Sequence, residues 1–211
     1  MQSAPEPDPD SPNARTVESY ELIAHDYARE TAGAAVLSNG LTRLAETVPA
    51  GHALEIGSGP GWDADVLEEA GMTVRRTDIT QAFLDVQRSR GKQVDQLDVI
   101  HDDLAGPYEA VVALHVLQHV EPGDLPAVLA KVAGALRPGG RFLVSIPLGQ
   151  GSGWETGESG KPYFRALWSE AELTEMLARA GLQSEWTERS VEHEESGWLC
   201  VLAQLGEVHT S

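Results

Sequence analysis

Cysteine is almost absent from this chain. The single one, Cys200, can form no disulfide within the chain, and no Cys-x-x-Cys pair exists to hold a structural zinc or an iron–sulfur cluster. No metal site is expected, and a reducing, cytoplasmic setting is. Cys200 lies in the apolar run Gly197-Trp-Leu-Cys-Val-Leu-Ala203, which reads as a strand, so a buried structural thiol is expected. No stretch of 18 apolar residues occurs, and no basic-then-apolar segment opens the chain, so a soluble protein without a membrane partner is expected. Basic residues are scarce: 15 Lys and Arg stand against 33 Asp and Glu, a formal net charge of −18. Such a surface repels nucleic-acid phosphates and argues against DNA or RNA as a partner. The phosphate-cradling G-x-x-x-x-G-K-[ST] loop is missing as well.

What is present fits one domain of ordinary size, 211 residues with 41% hydrophobic side chains. Residues 1–15 read as an acidic, proline-rich, disordered tail, the first fourteen holding four prolines and three acids. Residues 16–206 are expected to form the domain. Two helices come first, about 17–30 and 37–48, then a strand at 52–56. A helix from Trp62 stops at Gly71, where a left-handed residue suits a helix end. A second strand ends at Asp78, and Thr80 caps a helix ending at Gly91. Residues 97–102 read as a weak third strand. The nearly continuous apolar run 109–115 reads as a buried parallel strand. Further on come a helix at 122–136, a strand at 141–147, and a helix from Ser169, where Ser169-Glu-Ala-Glu172 has capping-box spacing. Two closing strands, 182–190 and 197–205, are expected to pair antiparallel. This alternation predicts a doubly wound α/β fold, a mostly parallel sheet of seven strands with an antiparallel last strand. Residues 148–168 read as a long loop with five glycines and several aromatics. Loops of that length are usually functional or disordered, and the aromatics favour function.

The strongest local signal is Ala53-Leu-Glu-Ile-Gly-Ser-Gly-Pro-Gly61. A short apolar run carries an acid, Glu55, and then glycine recurs at every second position, Gly57, Gly59 and Gly61. This is a strand turning sharply toward a helix, with backbone open to a ligand. Asp78, about 20 residues on, stands where a ribose-binding carboxylate belongs. The dinucleotide fingerprint G-x-G-x-x-G is not met, because the third glycine comes one position early and Trp62 occupies its slot. Pro60 removes a backbone donor that a pyrophosphate would need. Glu55 would repel a phosphate and attract a cation.

Glu55-Ile-Gly57-Ser-Gly59-Pro-Gly61 resembles the first motif of the class I S-adenosylmethionine-dependent methyltransferases, whose ligand is a sulfonium cation with an amino-acid end and no phosphate. Pro138-Gly139-Gly140 before Arg141-Phe-Leu-Val-Ser-Ile146 resembles the family's late strand and the turn before it, and Leu117-Gln-His119-Val a segment after its fourth strand. The resemblance extends from about Tyr20 to Leu205. It implies methyl transfer from S-adenosylmethionine, leaving S-adenosylhomocysteine, to an oxygen, nitrogen or carbon of a small metabolite or natural product. The Asn/Asp-Pro-Pro-Tyr of base-amino methylases is missing. Two alternatives stay open: a protein of this fold using the bound cofactor for another reaction such as cyclisation, and a non-catalytic binding subunit. A monomer or homodimer is expected.

The resemblance implies roles for particular residues. Gly57, Ser58, Gly59 and Gly61 would cradle the methionine end, with Glu55 at its ammonium. Asp78 would accept the ribose hydroxyls, beside Ile79; a carboxylate offers only acceptors, which suits two vicinal donors. Asp102 or Asp103, with the Leu104 amide, would meet the adenine. Leu114 and Tyr20 would also touch the cofactor. Tyr20-Glu-Leu-Ile-Ala-His-Asp-Tyr27 would fold over it as part of a helical lid, 16–48. His115 and His119 are candidate bases near the methyl-transfer point. Tyr27, Trp154, Tyr163, Arg165 and Trp168 are candidate substrate residues, Arg165 as partner for a substrate carboxylate.

Overall fold

In the computed structural model the described residues are 8–33, 38–193 and 196–206. The first seven residues of the expected tail, the expected helix start at Leu37, and Glu194 and Glu195 in the last turn lie outside them. The chain runs α1 (Pro12–Glu30), α2 (Ser38–Thr47), β1 (His52–Ile56), α3 (Trp62–Glu69), β2 (Thr73–Asp78), α4 (Gln81–Ser89), β3 (Asp95–Gln96) and β4 (Tyr108–Ala113). A 3-10 turn (Leu117–His119) leads to α5 (Leu125–Ala135), β5 (Leu136–Pro147), β6 (Ser152–Thr156), β7 (Pro162–Ala166), α6 (Glu170–Arg179), β8 (Leu182–His193) and β9 (Ser196–Leu205).

Seven strands form one sheet in the order β3-β2-β1-β4-β5-β9-β8. β1 pairs parallel with β2 and β4, and β4 with β5, whereas β9 lies antiparallel between β5 and β8. The central strands are apolar throughout because both faces are covered. Their period of two sends alternate residues into different cores. Leu54, Val111, Ala113, Phe142, Val144 and Val201 pack toward α5 and α6, which supply Leu125, Leu129, Leu173 and Leu177. Ala53, Ala110, Val112, Leu143 and Cys200 pack toward α2 and α3, which supply Leu41, Leu44 and Leu67. The expected doubly wound sheet is thus the fold found.

Thr80 stands at the N-cap of α4 without the expected side-chain capping bond, and three further local outcomes differ from the sequence reading. Helix α1 begins at Pro12, inside the stretch assigned to the tail. Ser11 caps it by accepting from the Ala14 amide at 3.2 Å, and proline suits a first turn because it has no amide to leave unpaired. The third strand is only Asp95–Gln96, not 97–102. Asp98 winds the chain instead: its carboxylate accepts from the Ile100 amide and bonds the His101 ring, both at 2.8 Å, an alternative to a strand ladder. The expected loop 148–168 contains the hairpin β6–β7, with Trp154 opposite Phe164 and Glu155 opposite Tyr163. Its glycines disguised the strand alternation.

Candidate active site

A cleft opens at the carboxyl ends of β1, β2 and β4, under helix α1. In an open α/β sheet this is where the strand ends leave room for a ligand. The turn after β1 is held tightly. Ser58 donates its amide to Thr77 O and Gly61 to Ser58 O, both at 2.8 Å. The Asp78 carboxylate ties β1 to β2, accepting from the Gly59 and Thr80 amides, each at 2.8 Å. Burial raises its pKa against the opposing effect of those amides.

The three glycines serve different purposes. All have positive φ, 64°, 51° and 86°. A Cβ on Gly57 would stand 2.1 Å from Val116, so this glycine admits a packing neighbour. A Cβ on Gly61 would meet Arg76 and Gln87 at 2.6 Å. At Gly59 nothing lies within 4 Å, so this is the glycine against which a ligand can press.

Beneath the turn Glu55 is 3% exposed, and its Oε2 has no hydrogen-bond partner among the described residues. Burial first, then repulsion by Asp63, pushes its pKa well above the usual carboxylate range, with Arg76 opposing. A buried carboxylate oxygen without a donor is costly, and an ammonium group would satisfy it.

Sequence reasoning missed the layer behind the turn. Arg76, 2% exposed, donates to Gly61 O at 3.1 Å, Asp65 at 2.6 Å and Glu68 at 2.8 Å. Gln87 donates to Ser58 Oγ and Gly59 O, and Arg90 to Pro60 O. Burial alone would raise the Asp65 pKa, but bonds from Lys92, Arg76 and Arg90 outweigh it and hold Asp65 at about 2. The only signal in the sequence was an arginine at 76 inside a strand otherwise ending in the core.

His119 is 8% exposed and bridges two elements. Its Nδ1 lies 2.7 Å from Phe164 O of β7, and its Nε2 lies 3.2 Å from the Tyr20 hydroxyl of α1. A carbonyl only accepts, so Nδ1 carries the proton and Nε2 accepts from Tyr20 and from Gln118. Burial lowers the His119 pKa to about 4, against the pull of the Phe164 carbonyl. Burial raises the Tyr20 phenol above its usual value. His115 has a φ of 56°, donates its amide to Ser145 Oγ at 2.8 Å, and stacks on Trp198 with ring centroids 3.7 Å apart.

The structure brings Tyr20, Tyr27, Gly57, Ser58, Gly59, Asp78, Ile79, Leu114, His115 and His119 to the cleft wall. It does not bring Asp102, Asp103 or Leu104 there. Asp102 accepts from the Asp98 amide, Asp103 from the Ala105 amide, and Leu104 is core. The acid at this edge of the cleft is Asp98, with Leu97 and Val99. The short third strand and the turn around Asp98 displace the later aspartates. The hairpin residues stand outside the cleft wall. Arg165 pairs with Glu155 at 3.1 Å and covers Trp198, so its charge is already matched. Tyr163 packs edge-on to His119, Trp154 lies under Arg15, and Trp168 packs on the core. Glu55 and Gly61 sit behind the turn. Among the described residues no metal-ligating cluster occurs, and no helix is long and apolar enough to cross a membrane.

A doubly wound sheet with a glycine turn after β1 and a buried acid ending β2 defines a nucleoside-binding α/β domain. Comparison with known proteins narrows the class. Residues 27–185 match the methyltransferase domain family. A probable S-adenosylmethionine-dependent methyltransferase of Mycolicibacterium smegmatis is 31% identical over 153 residues, 69% of this chain; the alignment spans 57% of that protein's length. Among solved structures, the Burkholderia thailandensis 1,6-didemethyltoxoflavin-N1-methyltransferase, with bound 1,6-didemethyltoxoflavin and S-adenosylhomocysteine, superposes with a TM-score of 0.73. It is 22% identical, and the match covers 98% of this chain and 94% of that one. The CcbJ methyltransferase of Streptomyces caelestis gives 0.70 at 19% identity, covering 91% and 99%. This chain belongs to the class I S-adenosylmethionine-dependent methyltransferase family.

Proposed function

We propose that this protein transfers a methyl group from S-adenosylmethionine to an oxygen, nitrogen or carbon of a small-molecule acceptor. The observation that carries the reading is the corner shared by Gly59 and Asp78, a carboxylate fixed by two backbone amides beside a glycine with open space against it. When bound, the cofactor supplies an electrophilic methyl on a sulfonium and departs as S-adenosylhomocysteine.

The residues present fit that ligand. Glu55 Oε2, buried without a donor among the described residues and behind the turn, would serve the ammonium end through a bridging water. The Asp78 carboxylate, held by the Gly59 and Thr80 amides, lines the cleft, and its acceptor oxygens suit ribose hydroxyls. Ile79, Leu97, Val99 and Leu114 offer apolar walls for the base, and Asp98 an acceptor for its amino group. Asp98 takes the place in this reading that Asp102 and Asp103 held.

The acceptor side lies under the first half of α1, where Asn13, Thr16, Val17 and Tyr20 face His115 and His119. Transfer from a sulfonium to a nucleophile needs little acid–base help, and fixed in-line approach supplies most of the rate. His119 acts here by holding Tyr20. With its Nε2 engaged by two donors and its pKa near 4, it is a weak proton acceptor.

The test has two arms. Tritium from labelled cofactor should pass to a small acceptor with release of S-adenosylhomocysteine; tight cofactor binding without transfer to any acceptor would favour a non-catalytic subunit. Asp78→Ala should weaken S-adenosylhomocysteine binding in calorimetry by about tenfold or more, since a hydrogen bond to a charged group is worth about 1.5–3 kcal/mol and 1.4 kcal/mol is tenfold. Unchanged affinity would remove Asp78 from the ribose site.

A further inference from the structure

The third glycine of the turn has no ligand to admit. A Cβ on Gly61 would meet Arg76 Nη1 and Gln87 Oε1 at 2.6 Å, and both belong to the protein. Gln87 comes from α4, which the glycine motif does not include, and it is fully buried. Every polar atom of its amide is used. Oε1 accepts from Arg76 Nη1 at 3.3 Å, while Nε2 donates to Ser58 Oγ at 2.7 Å and Gly59 O at 2.8 Å. Four of the turn's five carbonyls are engaged from within the protein. Ser58 O takes the Gly61 amide, Gly59 O takes Gln87, Pro60 O takes Arg90, and Gly61 O takes Arg76. The turn is thus held on its inner side at four carbonyls, while at Gly59 open space faces it.

From this geometry we infer that Gln87 is a positioning residue for the cofactor: braced by Arg76, it fixes the Ser58–Gly59 backbone so that Gly59 and Asp78 meet the ligand without reorganising. Gly61 is glycine because the brace occupies the space where its Cβ would stand. The brace acts by preorganisation. A turn with four left-handed or sharply bent residues has other conformations available, and each would cost binding free energy to abandon. Gln87 removes them beforehand. Asp65, held ionised by Arg76, Arg90 and Lys92, keeps the arginine side of the brace charged and in place.

The inference rests on the turn being the cofactor site, so the experiment separates the two. Calorimetry with S-adenosylhomocysteine is run on the full chain, on Asp78→Ala, and on Gln87→Leu, which keeps the volume and deletes the amide. Gln87→Glu keeps an acceptor for Arg76 but cannot donate to Gly59 O, and it carries the test should the leucine variant not fold. Val132→Ala, a core truncation on α5, controls for lost stability alone. Hydrogen exchange of the Ser58, Gly59 and Gly61 amides is read in the ligand-free proteins. The expected result is about tenfold weaker binding in Gln87→Leu and Gln87→Glu, with faster exchange confined to the turn and unchanged affinity in Val132→Ala. Lost affinity in Asp78→Ala with native affinity in both Gln87 variants would overturn the brace and leave the cofactor site standing. Native affinity in Asp78→Ala would remove the cofactor reading itself. Equal loss in Val132→Ala would reduce Gln87 to a structural residue.

Discussion

His119 is kept neutral by its surroundings, and this has a measurable sign. Its unfolded pKa lies near 6.5 and its folded pKa at about 4. Between those values the unfolded chain binds more protons, so stability rises with pH. The contribution is complete above about pH 6.5 and lost as the pH falls to 4, a span worth about 3 kcal/mol at 1.36 kcal/mol per unit. Glu55 and Asp78 act in the opposite sense, because their raised pKa values make the folded chain bind protons more tightly as the pH falls. His119→Asn should therefore lose less stability between pH 6.5 and 4 than the native chain, as melting curves across that range would show. Equal slopes would mean that His119 is not the group titrating. At this scale the candidate cleft was legible where spacing marks it: Gly57, Gly59 and Asp78, expected from a strand end and a fixed separation, line it. Arg76 and Gln87 were not legible, because their pairing depends on α4 packing against β2. Asp98 was missed for a related reason. Three acids stand within six residues, and only the turn decides which one reaches the cleft.

Helix α1 is fastened on several sides. Ser19 donates to Pro162 O at 2.6 Å, and Thr16 accepts from the Phe164 amide at 2.9 Å, so the free edge of β7 is satisfied by side chains of a helix. Tyr20 bonds His119. Glu21 reaches α4, accepting from the Gln81 and Ala82 amides at 2.6 and 2.9 Å. Those amides open α4 directly after Thr80, whose own side chain makes no capping bond, so Glu21 serves as the cap from a distance. Glu21→Ala should cost about 1 kcal/mol, the ordinary worth of a cap. It should also speed S-adenosylhomocysteine release, since α1 and α4 flank the same cleft; stopped-flow displacement would measure this. An unchanged off-rate would show that this contact does not govern access. The helices and most strands were legible from periodicity. The β6–β7 hairpin was not, because glycine supplies no side chain to mark the alternation and the hairpin packs on α1 rather than on the main sheet.

A net charge of −18 governs the molecule as a whole. Like charges crowded on one body repel, and compaction raises that cost. Several ion pairs offset it locally, most strongly the buried Arg76 with the partly exposed Asp65 and Glu68. Screening should relieve the remainder. Melting temperature is expected to rise between about 0.01 and 0.3 M NaCl, where the Debye length falls from about 30 Å to well under 10 Å. Each 1 kcal/mol relieved would raise it by about 2–4 °C in a chain of this size. A fall with salt would mean that exposed ion pairs outweigh the repulsion. Charge and fold class were readable from composition and from the alternation of elements. The placement of the last two strands was expected only as a pair, and their order in the sheet is a tertiary fact.

That order bears on synthesis. β9 lies between β5 and β8, yet it leaves the ribosome after both. Until residues 196–205 emerge, the apolar edge of β5 has no partner on that side, and β8, mostly polar and paired in the sheet only through β9, cannot cover it. At about 5–20 residues per second, the gap between completion of β5 and of β9 lasts several seconds. Throughout that interval the nascent chain exposes the unpaired edge of β5, open to any extended apolar segment and therefore to misassembly or to a chaperone.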